Sequence, residues 1–229
     1  MKQDVRFFLG FLGVAACLSA GGPLRAVEPA LEATITSDEL QMQDNGAQTI
    51  FTGNVVLIQS PYRLEADRMQ RTKATGLVQA RGHVRGTWIS DSGEKIVATG
   101  QHARYDPNEE ISELWGEPEV TRWETPRDTC PVVLNAERII AQQRQKTILA
   151  QQNVRIRQGT RLLTRSEQGQ YSQTDKTIHL WGKKGVFIHV KDTRGSADFT
   201  SNRGWVLLDP KEARLIDNVR GHVIPNPDL

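Results

Sequence analysis

The chain has 229 residues, 38% hydrophobic, 24% charged and 6% aromatic, with a formal net charge of +2. That composition suits one large or two small all-β domains and excludes a disordered chain. With two cysteines, Cys17 and Cys130, it also excludes a disulfide framework and a thiol-based metal site.

The N-terminus carries Lys2 and Arg6 ahead of an apolar run from Phe7 to Ala20. A basic start, a short apolar stretch and small residues beyond it predict a secretory signal over 1–26. The run falls short of the ~20 residues that a membrane span needs. Cleavage after "LSA" (18–20) or "LRA" (24–26) gives a soluble mature chain, whereas "VAAC" (14–17) reads as a lipobox ending at Cys17. Cys130, between Thr129 and Pro131, reads as an incidental loop residue.

Beyond the leader, an apolar step, a small residue or glycine and a following valine recur. They appear in "FTGNV" (51–55), "VQARGHV" (78–84), "LWGEPEV" (114–120), "ILAQQNV" (148–154), "LWGKKGV" (180–186) and "LIDNVRGHV" (215–223). Counted on Gly53, Gly82, Gly116, Gln152, Gly182 and Gly221, the steps are 29, 34, 36, 30 and 39 residues. This is the loose period of hairpins joined by variable loops. Within each unit the alternation has period two, so Phe51, Gly53, Val55 and Leu57 share one face. Val78, Ala80, Gly82, Val84, Gly86 and Trp88 share another, and Ile148, Ala150, Gln152, Val154 and Ile156 repeat it. Polar turns such as "QDNGAQ", "YDPNEE" and "LDPKEA" separate the strands. Glycine recurring on an apolar strand face predicts a bend, a bulge or a close backbone approach. The lining is aliphatic and small, which predicts a groove with room for alkyl chains.

Charge is uneven along the chain. Residues 100–128 hold eight acids and three bases, and residues 140–194 hold eleven bases and three acids. Arg155, Arg157, Arg161 and Arg165 are candidates for holding phosphates, although by parity Arg155 and Arg157 face away from the lining. Solvated strand faces and assembly contacts are the competing readings.

An enzyme needs a catalytic constellation, and none is evident: no Gly-x-Ser-x-Gly, P-loop or HExxH occurs. Histidines 83, 102, 179, 189 and 222 lack ligand spacing. His83 and His222 occupy the same slot of a Gly-His-Val unit and read as solvated strand residues. No catalytic residue, metal ligand or cofactor is assigned. A carbohydrate-processing β-helix would need shorter, more regular coils with an Asp/Arg/His cluster on one side. Nucleic acid is not an expected partner, since the basic stretch lacks interleaved aromatics.

The stretch "ITSDELQMQDNGAQTIFTGNVVLIQSPYRLEADRM" (35–69) closely resembles the LptA/OstA family of periplasmic lipopolysaccharide transport proteins. Ile35, Ser37, Asp38, Phe51, Gly53, Asn54, Val55, Ala66 and Asp67 match its pattern. "ARGHV", "IVATGQHARYD" and "ELWGEPEV" match its continuing units, so the strong match covers about 33–121. The resemblance implies an all-β, V-shaped, elongated β-jelly roll of stacked hairpins with an apolar groove that shields lipid A acyl chains. It further implies edge-strand pairing with like-folded proteins at both membranes, and possible head-to-tail self-assembly. Ala33, Ile35, Tyr105 and Trp88 carry over as groove residues; with Phe51, Val55, Leu57, Val84 and Val154 they form the expected lipid-binding set. The better-known members are shorter. The expected division is a signal peptide over 1–26, an LptA/OstA-like jelly roll over 27–124, and OstA-like or LptC-like repeats over 125–229. The expected function is a periplasmic lipopolysaccharide carrier bridging inner and outer membranes. A membrane-tethered LptC-like anchor of the same pathway is the alternative.

Overall fold

The computed structural model describes residues 33–226, apart from 92, 173, 209 and 210. The leader and Cys17 lie outside the described residues. The expected alternation appears as one 16-stranded sheet. Its strands are β1 (Thr34–Thr36), β2 (Glu39–Gln43), β3 (Gln48–Gln59), β4 (Tyr62–Thr72), β5 (Val78–Ile89), β6 (Lys95–Asp106), β7 (Ile111–Trp115) and β8 (Glu119–Trp123). Then come β9 (Val132–Asn135), β10 (Arg138–Gln142), β11 (Thr147–Gln158), β12 (Leu162–Ser172), β13 (Thr177–Asp192), β14 (Gly195–Leu208), β15 (Lys211–Ile216) and β16 (Arg220–Pro225). All pairings are antiparallel, and most join neighbours in sequence. Among the described residues no helix is long and apolar enough to cross a membrane.

The turns behave as their composition requires. Asp44 and Asn45, of "QDNGAQ", take φ of 53° and 54°. In "YDPNEE" the Asp106 carboxylate accepts the Asn108 amide (3.0 Å), and Glu110 takes φ 55°. Short polar side chains that bond the local backbone make such turns inexpensive.

Long strands are interrupted by bulges. Thr52 pairs with Arg68 and Val55 with Ala66, so Gly53 and Asn54 together oppose Asp67. Gly82 and His83 likewise stand between the Arg81–His102 and Val84–Gly100 pairs, and Gln152 and Asn153 between Gln151–Gln168 and Val154–Ser166. In each case both residues of the bulge have positive φ. An extra residue in one strand bends it, and one apolar core contains side chains from both sides of the bulges. Gly116 and Glu117 form the same left-handed pair where the strand breaks altogether, separating β7 from β8.

Three of the expectations need correction. In "LWGKKGV" the left-handed residue is Gly185, not Gly182, because a wider bulge of four residues separates Trp181 from Val186. In "LIDNVRGHV" it is the pair Asp217–Asn218, whereas Gly221 lies inside β16. His83 and His222 therefore occupy different places: His83 sits in a bulge, and His222 pairs with Asp198 at the C-terminal edge. Asparagine and aspartate tolerate the left-handed region, so the position does not announce itself by glycine.

The register also reveals a longer repeat. Thr36 pairs with Val56, and 99 positions on Asn135 pairs with Arg155. Leu40–Phe51 becomes Ile139–Ala150, Met69–Ala80 becomes Gly169–Leu180, and Ala103–Leu114 becomes Gly204–Leu215. Thr99–Glu119 becomes Thr200–Arg220. Residues 34–123 and 132–225 are thus two equivalent units in tandem. Each opens on a split pair of short strands (β1/β2, β9/β10), continues through four long strands, and closes on another split pair (β7/β8, β15/β16). At mid-chain β7 pairs with β10 and β8 with β9, which makes the two units one sheet.

Candidate lipid-binding interior and open edges

Alternation places two apolar rows inside the fold. One passes through Leu40, Phe51, Met69, Ala80, Ala103, Leu114, Ile139, Ala150, Gly169, Leu180, Gly204 and Leu215. The other passes through Ile35, Leu57, Leu64, Gly86, Ala98, Val120, Leu134, Ile156, Thr164, Ile188, Phe199 and Gly221. Most of these residues belong to one continuous apolar core. Neither row contains a charged side chain.

Val55, Leu57, Val84, Trp88 and Val154, of the expected lining, are buried in that core, and Ala33, Ile35 and Phe51 pack against it. Tyr105 is buried too, but with its register partner Val78 in a small cluster of its own. The wide lining foreseen from the small side chains differs from the structure: the inward layers touch, Val55 being 0% and Trp88 1% exposed. Small residues let the layers approach instead of leaving a void. Beyond the expected set, the same core holds Leu64, Met69, Leu114, Ile139, Leu180 and Ile188. Leu114 and Leu180 open two of the recurring units, whereas Leu64, Met69 and Ile139 lie on strands that carry none.

The corners are polar. Asn54 donates from Nδ2 to Asp38 (2.9 Å), His83 Nδ1 lies 2.9 Å from Asp67, and the Lys183 amide donates to Glu167 (2.6 Å). Asn153 bonds Glu137 in the same way. Each partner lies sixteen positions after its acid. A side chain on Gly53 or Gly82 would run into the carboxylate of Asp38 or Asp67. The close approach expected at the glycines is therefore made by a carboxylate at an exposed corner.

One arginine interrupts the apolar character towards the rim. Arg122 occupies the row of Trp88, Ile96 and Val132, where Glu94 accepts its Nε proton at 2.6 Å. Burial pushes the Tyr171 hydroxyl above its ordinary pKa; nearby Arg122 opposes this and Glu94 adds to it. Tyr62, beside Trp88, is raised by burial alone. Arg155, Arg157, Arg161 and Arg165 are exposed on the outside, Arg155 opposite Arg165 and Arg165 over the Phe187 ring at 5.8 Å. They stand away from the interior. No group of three or more His, Cys, Asp or Glu is placed to hold a metal among the described residues.

Among the described residues, both ends of the sheet are unpaired. Leu40 (53% exposed) and Met42 (68%) lie on β2, and Val223 (65%) and Ile224 (53%) on β16. A closed domain hides or charges its edges; here the apolar rows run out to them.

The fold defines an elongated β-jelly roll of stacked hairpins over a continuous apolar interior. Residues 34–132 match the family described as LptA/(LptD N-terminal domain) LPS transport protein. Among solved structures, one similar to it is the crystal structure of LptH, the LptA-homologous periplasmic component of the lipopolysaccharide transport device of Pseudomonas aeruginosa. The two are 10% identical over 70% of this chain and 96% of that chain, with a TM-score of 0.36. No curated protein matches the chain.

Proposed function

We propose that the protein is a periplasmic carrier of lipopolysaccharide, holding lipid A acyl chains between the two inward rows and leaving the sugars in solvent. The observation that supports this reading is the continuity of those rows, uninterrupted by charge and exposed at both edges. Covering an acyl chain contributes roughly 0.8 kcal/mol per CH2. Because the layers touch, an entering chain parts them, and the cost of separating Val, Ala and Gly contacts is offset by the chain that replaces them. Like-folded transport proteins at the inner and outer membranes extend the interior by edge-strand pairing. The signal sequence is the support for a periplasmic location. Nothing in this route calls for catalysis by the chain itself.

The test is site-specific photo-crosslinking in cells that make lipopolysaccharide. A photoreactive residue at Val55, Leu57, Val84 or Val154 captures lipopolysaccharide, whereas one at Asn54, Arg85 or Arg155 does not. Equal capture from inward and outward positions overturns the reading.

A further inference from the structure

Arg122 lies two positions after Val120, and Tyr171 two after Gly169. Val120 and Gly169 stand on the inward rows, so strand alternation turns Arg122 and Tyr171 to the same side. The two come from different units. Arg122 is flanked by Ile96 and Val132, and Tyr171 by Ile148 and Ile178. All four neighbours belong to the apolar core or pack against it. The charges of Arg122 and Glu94 nevertheless reach the Tyr171 hydroxyl, so the two walls approach each other here. β8 ends one residue after Arg122, at Trp123. A pair of opposite charges thus sits on the lip of the apolar interior.

The pair is made through one edge of the guanidinium. Arg122 gives Glu94 Oε1 its Nε proton at 2.6 Å, and neither side chain has a second hydrogen bond or ion pair among the described residues. The two Nη groups belong to the fork that grips an oxyanion bidentately, and they stay open. With 36% of the Arg122 side chain exposed, an anion from solvent can reach them. Glu94 is fixed by its own turn: Ser90 Oγ accepts the Glu94 amide at 3.0 Å, and the Glu94 carbonyl accepts the Ser90 amide at 2.9 Å. The carboxylate therefore orients the guanidinium at the lip without saturating it.

From this we propose that Arg122 anchors the headgroup of the carried amphiphile through a phosphate monoester, with Glu94 as a resident anion that the phosphate competes against. The proposal rests on the reading above that acyl chains occupy the interior, and it names the headgroup chemistry and the place where it is held. A chain lying among Ile96, Val132, Ile148 and Ile178 leaves the sugar that bears it at the lip, beside Arg122. A phosphate monoester brings up to two negative charges and three acceptor oxygens, against the single charge of Glu94. It can span the Nη groups while Glu94 keeps Nε. Burial holds the Tyr171 hydroxyl above its ordinary pKa, so it stays neutral and does not repel the phosphate. Arg155, Arg157, Arg161 and Arg165, the phosphate candidates of the sequence, stand outside; Arg122 has access to the interior.

The experiment measures the dissociation constants of lipid A and of dephosphorylated lipid A with the same acyl chains, on the full chain, and reads their ratio. The unsubstituted protein favours the phosphorylated form roughly tenfold, the size of a charge-assisted hydrogen bond. Arg122→Gln brings the two forms level, and Arg122→Lys keeps part of the preference. Glu94→Gln removes the competing charge and widens the ratio roughly threefold, the size of an exposed ion pair. A gain of that kind does not come from misfolding. Inorganic phosphate in large excess leaves the preference standing, because the bound chains keep the headgroup at a high local concentration. A preference that it abolishes marks a site for free phosphate and overturns headgroup anchoring. Equal binding of the two forms by the unsubstituted protein, or a ratio that Arg122→Gln does not change, overturns the anchor and leaves the carrier reading intact. If neither form binds, the carrier reading fails and takes the anchor with it.

Discussion

At the bend of β3 the first unit sets Gly53 and Asn54 against Asp38; at the same point of β11 the second sets Gln152 and Asn153 against Glu137. Backbone and polar partner are kept while the glycine is lost. Gly53 at φ 76° suits a residue without Cβ, and Gln152 holds φ 63° at a cost of about 1–2 kcal/mol. The device is thus the carboxylate reaching a left-handed pair, and glycine is one way of making that pair cheap.

The interiors differ by exchange as well. In the first unit β4 supplies the bulk and β5 the space: Leu64 faces Gly86, and Met69 faces Ala80. In the second β12 supplies the space and β13 the bulk: Thr164 faces Ile188, and Gly169 faces Leu180. A Cβ on Gly169 would lie 3.2 Å from Leu180 Cδ2 and 3.3 Å from Val154 Cγ1, so no room is left there. Cores tolerate such swaps when total volume is conserved.

This comparison can be broken at its strongest point by Leu180→Ala, which removes the bulk from the second unit. A loss of about 3 kcal/mol is expected in denaturant unfolding. Adding Gly169→Met recreates the Met–Ala arrangement of the first unit and recovers a large part of that loss. A double variant no more stable than Leu180→Ala alone would show that the two strands do not exchange volume. Gly53→Val is next: a β-branched residue in the left-handed region, pressed on Asp38, costs about 2 kcal/mol. Unchanged unfolding midpoints would mean that the bend does not depend on this position. The smallest effect sharpens the contrast. Gln152→Gly gives the second unit the residue of the first and is expected to raise stability by about 1 kcal/mol, read as a higher midpoint at unchanged slope.

The strands, their turns and the apolar face were legible in the sequence because alternation and turn chemistry are local. Phe51, Val55, Leu57, Val84 and Val154 fell on the buried side for that reason. The tandem repeat of about a hundred residues was not legible, because equivalent positions trade large for small residues between neighbouring strands and share little identity. Counting on glycine also misplaced the last two units, since Gly185 sits in a widened bulge and Asp217–Asn218 replaces glycine altogether. The corner contacts escaped because a carboxylate such as Asp38 is paired with a residue on the adjacent long strand, and nothing in "SDEL" alone announces that reach.

The ladder has one more consequence, for the order in which the chain acquires structure. Among the described residues its longest-range strand pairing, Ile111 with Gln142, spans 31 positions. Sheets of this size ordinarily close contacts between distant parts of the sequence and fold slowly for that reason. Here each long strand finds its partner within the next hairpin, so pairing can propagate from one end of the chain without waiting for the other. The growing edge is itself the template for the next strand, as in solenoid proteins stabilised by nearest neighbours.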